Sequence, residues 1–545
     1  MKSTFHSQLA GSGLSRRAAL SLLGAASASA VAGCCSLRGF PSDTISGDPA
    51  LNLGTPLRPS KAAPNGVYRH IDVHAHFFNA SDVTVKGYLE GPVAHDMSEP
   101  LAELVRLLAP FADDLASIAQ TAGDEFAELT KRYSRQGVTA FTTMDAELVD
   151  SAKTRRNDAS TKFFDLVRSS PFEAKFNALA SRQPLQITAV GPDPGTKPLD
   201  ADSLWQATEL GDHPDFSMLL VPQSVKSTEP YPGGILAFVG YMLSPRWANL
   251  STYSKAFTDS NGAFGIDMTL GALVDFDRWL DCPPRSSHGD QIKLHQLLSK
   301  LSGGYMRPLV AYNPWSDIKE EGQALARVVD AVKNRGFVGV KLYPPNGFRP
   351  YGNTDSPTPP SPGPSPADLD RVLAKFWDAC VSLGVPVMAH TGATMGRDVT
   401  HDQLGGPQGW QALMNRYAGR TAPKVNLGHF GGDCDINPWT DKMADLMASR
   451  DGATVYGDLA YWSGLGLNNS EAATCGDART RLASAIQAHP GAEKHVMYGS
   501  DWLMLSRERN WWLYPFDVAD ATHDIVDPAA LFAGNAQRCF GSLIA

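Results

Sequence analysis

Two histidines separated by one residue, in Asp72-Val73-His74-Ala75-His76, are the first residues in the chain whose types and spacing could do chemistry. They close a short apolar run that reads as a strand, and on a strand the side chains at i and i+2 point the same way. Two imidazoles converging at a strand end suit a divalent transition metal. Alone, the pair is a weak signal and reads more readily as two surface histidines at a strand terminus. Later runs change that weighting. Val385 to Ala389 leads into His390, Val425 to Gly428 into His429, and Val496 to Gly499 into Ser500-Asp501. A further run, Gly339-Val340-Lys341-Leu342-Tyr343-Pro344, places Lys341 at its end.

These side chains can act together only if the strand ends face one space. From about residue 268 onward the chain alternates strand and helix signals. Apolar runs occur at Leu270 to Val274, Pro308 to Tyr312, Val338 to Tyr343, Val385 to Ala389, Val425 to Gly428, Thr454 to Leu459 and Val496 to Gly499. Amphipathic stretches such as Leu369 to Val381 and Ala478 to Ala488 lie between most of them. With the strand at 71 this makes eight. Strands alternating with helices imply a parallel sheet, and eight such units imply a closed (β/α)8 TIM barrel in the α/β class, whose C-terminal strand ends form the active face. The competing architecture, a doubly wound open sheet, is weakened because no GxGxxG turn follows the first strand.

Residues 80–262 break the rhythm. Leu101, Leu104, Val105, Leu107, Leu108, Leu115 and Ile118 recur at helical spacing, and Phe163 to Leu179 reads as helical too. The region is expected to be a large, mainly helical insertion after strand 1 that caps the barrel mouth. Gly137 to Thr142 could instead be a barrel strand, which would displace Leu270 to Val274. Thr354 to Pro366 is a Pro/Ser-rich connector.

The first 34 residues are expected to be a targeting segment outside the fold. Arg16-Arg17 precedes the apolar stretch Ala18 to Ala32, too short to span a bilayer, and Val31-Ala32-Gly33-Cys34 looks like a lipobox. Ala19 stands where the twin-arginine pattern prefers Phe. The expectation is export by the twin-arginine route to the periplasm, as a lipoprotein anchored through Cys34 and joined to the barrel, residues 67–545, by a flexible linker over 35–66. Any membrane contact would be through that lipid alone. The net charge of -9 offers no basic face, which argues against nucleic acid as a partner. Seven cysteines with no CxxC spacing suggest neither a zinc knot nor a disulfide framework.

The motifs DVHAHFFNASDV, GVKLYPPNGF, MAHTG, NLGHFGG, MYGSDW and LFAGNAQRCFG together resemble the amidohydrolase superfamily, closest to its amidohydrolase-related branch, which holds hydrolases and decarboxylases. The resemblance covers about 68–80 and most of 264–541. It implies that His74, His76, His390 and Asp501 hold a divalent metal, zinc first among Zn, Mn, Fe and Co, with one ion favoured and two possible. It implies further that Asp501 takes a proton from water, and that His429 either binds a second ion or polarises water or substrate. Some members, dihydroorotases among them, carbamylate a lysine in a KLYP context to bridge two metals, which makes Lys341 a carbamate candidate. The alternatives for Lys341 are an ion pair or a contact with an anionic substrate.

Asp72 is a candidate to orient a ligand imidazole, Asp275 and Asp277 to face the pocket, and Arg349 and Tyr351 to meet substrate. Trp462, Trp502, Trp511 and Trp512 are expected in packing. The histidines away from strand ends, His288, His295 and His401 included, are expected in surface or structural roles. The function expected is hydrolysis of a C–O or C–N bond in a small molecule such as a lactone, ester or amide. Non-oxidative decarboxylation of an aromatic or unsaturated acid is the alternative, and a catalytically silent binding lipoprotein a third. Substrate and oligomeric state are not legible.

Overall fold

The computed structural model describes residues 68–95, 102, 106, 109, 116–135, 231, 235–258, 265–280, 282–356, 363–393, 396–432, 439–449, 454–466, 477–508 and 510–544. The twin-arginine, lipobox and linker segments, Phe163 to Leu179 and Gly137 to Thr142 lie outside them.

Eight strands form one sheet in sequence order: β1 (Ile71–Ala75), β2 (Met268–Ala272), β3 (Met306–Tyr312), β4 (Gly339–Leu342), β5 (Val387–His390), β6 (Val425–Gly428), β7 (Val455–Asp458) and β8 (Val496–Met497). Every pairing is parallel. The circle closes between β8 and β1. Val73 N–H donates to Tyr498 O at 3.1 Å, Asp501 N–H to His74 O at 2.7 Å, and Ala75 bridges Trp502. The fold is therefore the (β/α)8 TIM barrel that the sequence implied. Because β2 pairs directly with β1, Leu270 keeps its place in the barrel, and no strand from the insertion is needed between them.

Among the described residues, the helices of eight or more residues are α1 (Ala122–Arg135), α2 (Ile235–Met242), α3 (Arg246–Ala256), α4 (His288–Leu301), α5 (Gln323–Asn334), α6 (Pro366–Leu383), α7 (Pro407–Arg416), α8 (Trp439–Ala448), α9 (Ala478–Ala488) and α10 (Tyr514–Thr522). Local chemistry sets several ends. Ser365 caps α6 by accepting from Asp368 N, Pro366 opens its first turn, and Gly384 ends it at φ 68°, a conformation that costs glycine little. Asp477 caps α9 through the N–H groups of Arg479 and Thr480. Between β1 and β2 the described residues are helical apart from loops and one isolated bridge.

Alternation divides the strand residues between two cores. Met268, Leu270, Leu309, Met388, Tyr456 and Met497 fill the barrel interior with Ile71 and Val73. Val310, Val340, Leu342, Val387, Ala389, Val425, Leu427 and Val455 face outward to the helices. Lys341, flanked by Val340 and Leu342, must therefore point inward, as must Asp458, two residues after Tyr456. Strand β1 departs from strict alternation. Val73 lies in the inner cluster and Ala75 in the outer one, and the β1–β2 register shifts between Asp72 and Ala75. This bulge turns His74 into the barrel while leaving Asp72 on the outer face.

The insertion is tied to the barrel's C-terminal end by Arg246, which is fully buried. Its guanidinium bonds both Asp82 oxygens in the loop after β1, Glu125 at the start of α1, and Ser286 before α4. Breaking such a buried pair by removing one partner typically costs about 3–5 kcal/mol, because the other charge is left uncompensated.

Candidate metal centre

Three ligand atoms, one each from His74, His76 and Asp501, lie within 4.8 Å of one another, and all three residues are buried. Each imidazole is held at its far nitrogen. His74 Nδ1 lies 3.1 and 3.2 Å from the Asp458 carboxylate oxygens, and His76 Nδ1 lies 2.9 Å from the Ala272 carbonyl. Those partners accept only, so Nδ1 of each ring carries the hydrogen and Nε2 presents its lone pair to the centre. There Asp501 Oδ1 stands 3.2 Å from His76 Nε2 and 3.6 Å from His74 Nε2. Lone pairs of two rings thus face an anionic oxygen, which is favourable only with a proton or a cation between them.

The spacing fits a cation. Metal–ligand bonds of about 2.0–2.2 Å at tetrahedral angles put neighbouring donor atoms roughly 3.4 Å apart. The donor set, two imidazoles and a carboxylate, suits Zn and its first-row neighbours. Burial lowers the His74 pKa well below 6.5, and the Lys341 charge lowers it further against the pull of Asp501. Burial alone would raise the Asp501 carboxyl, but its neighbours His76, His429 and His74 outweigh burial and hold it below the ordinary carboxylate range.

Two glycines make room for His74. A Cβ on Gly428 would stand 2.8 Å from Ala389 O and 2.9 Å from His74 Cε1, and one on Gly499 would stand 2.9 Å from His74 Cβ. His429 and Asp501 adopt positive φ, 69° and 54°. Such non-glycine conformations cost on the order of 1–3 kcal/mol each and tend to mark functional sites.

His390 and His429 share the chamber. The His429 ring lies 4.8 Å from that of His74 and 4.5 Å from that of His390, and its Nδ1 is bonded to Ala460 O. His390 stacks on Tyr343 at 4.6 Å, and its Nε2 is buried without a hydrogen-bond partner. That nitrogen is not one of the three converging atoms, so the geometry separates His390 from the compact trio with which the sequence grouped it. Burial, and the nearby charges of His429 and Lys341, hold its pKa well below 6.5. Lys341 Nζ lies 3.0 Å from His74 Nε2 and donates to Met388 Sδ at 3.1 Å. Burial lowers its pKa to about 8, against the pull of Asp501 and Asp458.

Several expectations change. Asp72 orients no imidazole. Its carboxylate accepts from the backbone N–H groups of His74 and Ser500, the Ser500 hydroxyl and the Tyr253 hydroxyl of α3, at 2.5–3.1 Å. It therefore fixes the backbone on which His74 and Asp501 sit, because the bulge puts it outside the barrel. The imidazole partner is Asp458, which sequence reasoning missed although it ends an apolar run just as Asp501 does. Asp458 also accepts from Asn426 Nδ2 and from the backbone N–H groups of His429 and Ala460. Asp275 and Asp277 are buried together with His288, so His288 is not on the surface. The Tyr351 hydroxyl is engaged by Arg416. The four tryptophans are buried in packing, as expected. Cys282 is disulfide-bonded. Pairing between cysteines distant in sequence leaves no spacing signal. Cys380 and Cys539 are free and buried.

Residues 307–542 match the family model described as amidohydrolase. Over that span the chain is similar to the amidohydrolase family. The matched span begins within β3, leaving the His74–His76 strand before it. A comparison with curated proteins finds no match. Among solved structures the chain is similar to an uncharacterised TIM-barrel protein from Bordetella bronchiseptica, at 14% identity over 51% of this chain and 78% of that one, with a TM-score of 0.33. It is also similar to a probable 2-pyrone-4,6-dicarboxylic acid hydrolase from Acinetobacter baumannii, at 12% identity over 58% and 93%, TM-score 0.29. A 2,6-dihydroxybenzoate decarboxylase from Rhizobium is similar at 14% identity over 59% and 95%, TM-score 0.34.

Proposed function

We propose that this barrel is a metal-dependent hydrolase of a C–O or C–N bond in a small molecule such as a lactone, ester or amide. The observation that carries the reading is the convergence of an ionised Asp501 Oδ1 with the two histidine lone pairs. A divalent ion there, zinc first among the candidates, supplies Lewis acidity and lowers the pKa of water toward 7. His74, His76 and Asp501 hold it, with the partnerless His390 Nε2 as a further donor in the chamber. The chain's own groups are then poised to accept protons. Asp501 takes the proton of the attacking water, and His429, fixed by Ala460 O, is placed to polarise water or substrate. Asp458 keeps His74 in the tautomer the centre needs. Lys341 is a cation beside the ligands, able to meet an anionic substrate group.

Decarboxylation would need a proton delivered to carbon. Asp501 is ionised and so carries no proton to give to carbon, an observation in favour of hydrolysis. The test is turnover in isotopically labelled water with a substrate found by screening lactones, esters, amides and aromatic acids. Label in the new carboxylate or alcohol supports hydrolysis. Carbon dioxide release with solvent deuterium on carbon overturns it in favour of the decarboxylase.

We also propose that the chain is exported and lipid-anchored through Cys34. The Cys282 disulfide supports an oxidising compartment. Fractionation of cells expressing the wild type and Cys34→Ala tests the anchor, and equal periplasmic solubility of the two counts against it.

A further inference from the structure

Helix α3 of the insertion reaches the ligand-bearing backbone from outside the barrel. Arg246 and Tyr253 stand seven residues apart on it and so share one face. Arg246 ties that face to Asp82 in the loop after β1. Tyr253, fully buried, donates its hydroxyl to Asp72 Oδ2 at 2.6 Å. Its ring stands edge-on to those of Phe77, at 5.4 Å between centroids, and Trp502, at 5.6 Å. Phe77 follows His76 and Trp502 follows Asp501, so one side chain packs on the residue after each of two ligands.

Asp72 passes this hold on to the ligands. Its Oδ1 accepts from the backbone N–H groups of His74 and Ser500 at 2.9 and 3.1 Å, and its Oδ2 also accepts from the Ser500 hydroxyl. The Ser500 oxygen in turn accepts from Trp502 N at 3.0 Å. Asp501 therefore sits between two residues whose backbone N–H groups are both tied into the Asp72 network, and its own N–H donates to His74 O at 2.7 Å. The restraint matters at Asp501, whose φ of 54° is a left-handed conformation that a non-glycine residue keeps only where its surroundings over-determine it. Of the hydrogens that Asp72 accepts, that of Tyr253 comes from the insertion, while the others come from the ligand-bearing segments themselves.

We propose that Tyr253 is a positioning residue for the metal centre, and that through its bond to Asp72 the docking of α3 and metal binding at His74, His76 and Asp501 stabilise one another. The coupling presupposes that the trio binds a divalent metal, and it holds whichever reaction the centre performs. Without the Tyr253 hydroxyl, Asp72 Oδ2 loses a buried charge-assisted hydrogen bond, and the backbone that carries His74 and Asp501 loses part of its restraint. Linkage makes the effect reciprocal: whatever factor α3 docking adds to metal affinity, bound metal adds to α3 docking.

The test is the Zn2+ affinity of the full chain, by competition with a chromophoric chelator, together with amide hydrogen exchange across α3 with and without Zn2+. Tyr253→Phe keeps the ring and removes only the hydroxyl. It should bind Zn2+ about 5-fold or more weakly than the wild type, the lower end for coupled sites. Zn2+ should slow exchange across α3 in the wild type, and slow it less in Tyr253→Phe. Val328→Ala, a core truncation in α5, should lower stability in urea yet leave Zn2+ affinity unchanged, which separates positioning from loss of stability. A Tyr253→Phe affinity within twofold of the wild type overturns the proposal, as does an equal loss of affinity in Val328→Ala. Should Tyr253→Phe fold poorly, the wild type alone decides, and α3 exchange that Zn2+ leaves unmoved overturns the coupling. A His74→Ala/His76→Ala variant with wild-type Zn2+ affinity would instead remove the metal centre itself, and the coupling with it.

Discussion

Replacing Asp458 with asparagine should weaken metal binding without removing any ligand. The wild-type carboxylate takes hydrogens from His74 Nδ1, Asn426 Nδ2 and two backbone N–H groups, at 2.7–3.2 Å. An amide can keep one oxygen for the backbone donors, but its nitrogen must then replace the oxygen that serves Asn426 and His74. Facing an N–H donor, the His74 ring is driven to the other tautomer, with its hydrogen on Nε2 in the centre. Loss of an outer-shell carboxylate of this kind typically lowers metal affinity 10–100-fold, or about 1.4–2.7 kcal/mol. Losing charged hydrogen bonds should also lower stability by about 1.5–3 kcal/mol. Competition for Zn2+ against a chromophoric chelator reads the affinity, and urea unfolding reads the stability. A folded Asp458→Asn variant that binds Zn2+ within twofold of the wild type would refute this role for Asp458.

Asp501→Asn should lower turnover by at least about 10²-fold, the lower end for loss of a general base, as read by steady-state kinetics on the substrate that screening finds. Gly428→Ala places a methyl against Ala389 O and the His74 ring, so it should destabilise the fold by about 1–3 kcal/mol, measured by urea unfolding, and weaken Zn2+ binding as the ring is displaced. The pH dependence follows from the shifted pKa values. His74 and Asp501 lose their protons well below their ordinary values, so neither brings proton competition with metal between pH 6 and 7. As pH rises through about 8, Lys341 loses its charge beside His74 and affinity should rise. Lys341→Met should abolish that rise, which Zn2+ titrations across pH would show.

The barrel was legible because parallel strands buried on both faces leave continuous apolar runs, and because the chemistry sits where those runs end. His74, His76 and Asp501 are together in space for that reason. Asp458 follows the same rule at the end of β7 but was read as part of a strand running on to Leu459. What escaped the sequence depends on contacts rather than periodicity. The β1 bulge sends Asp72 outward and His74 inward although they are two residues apart, a reversal that alternation alone cannot give. His288, expected in a surface or structural role, is buried against two aspartates from the loop after β2. The Cys282 disulfide and the position of His390 outside the compact trio depend equally on distant neighbours.

The central claim is that His74, His76 and Asp501 hold a divalent metal. Anomalous diffraction from crystals of the full chain, collected on both sides of the zinc absorption edge after Zn2+ loading, tests it most directly. The account requires a peak bonded to His74 Nε2, His76 Nε2 and an Asp501 oxygen at about 2.0–2.2 Å. No peak between these residues, with Lys341 Nζ still against His74 Nε2, would contradict it.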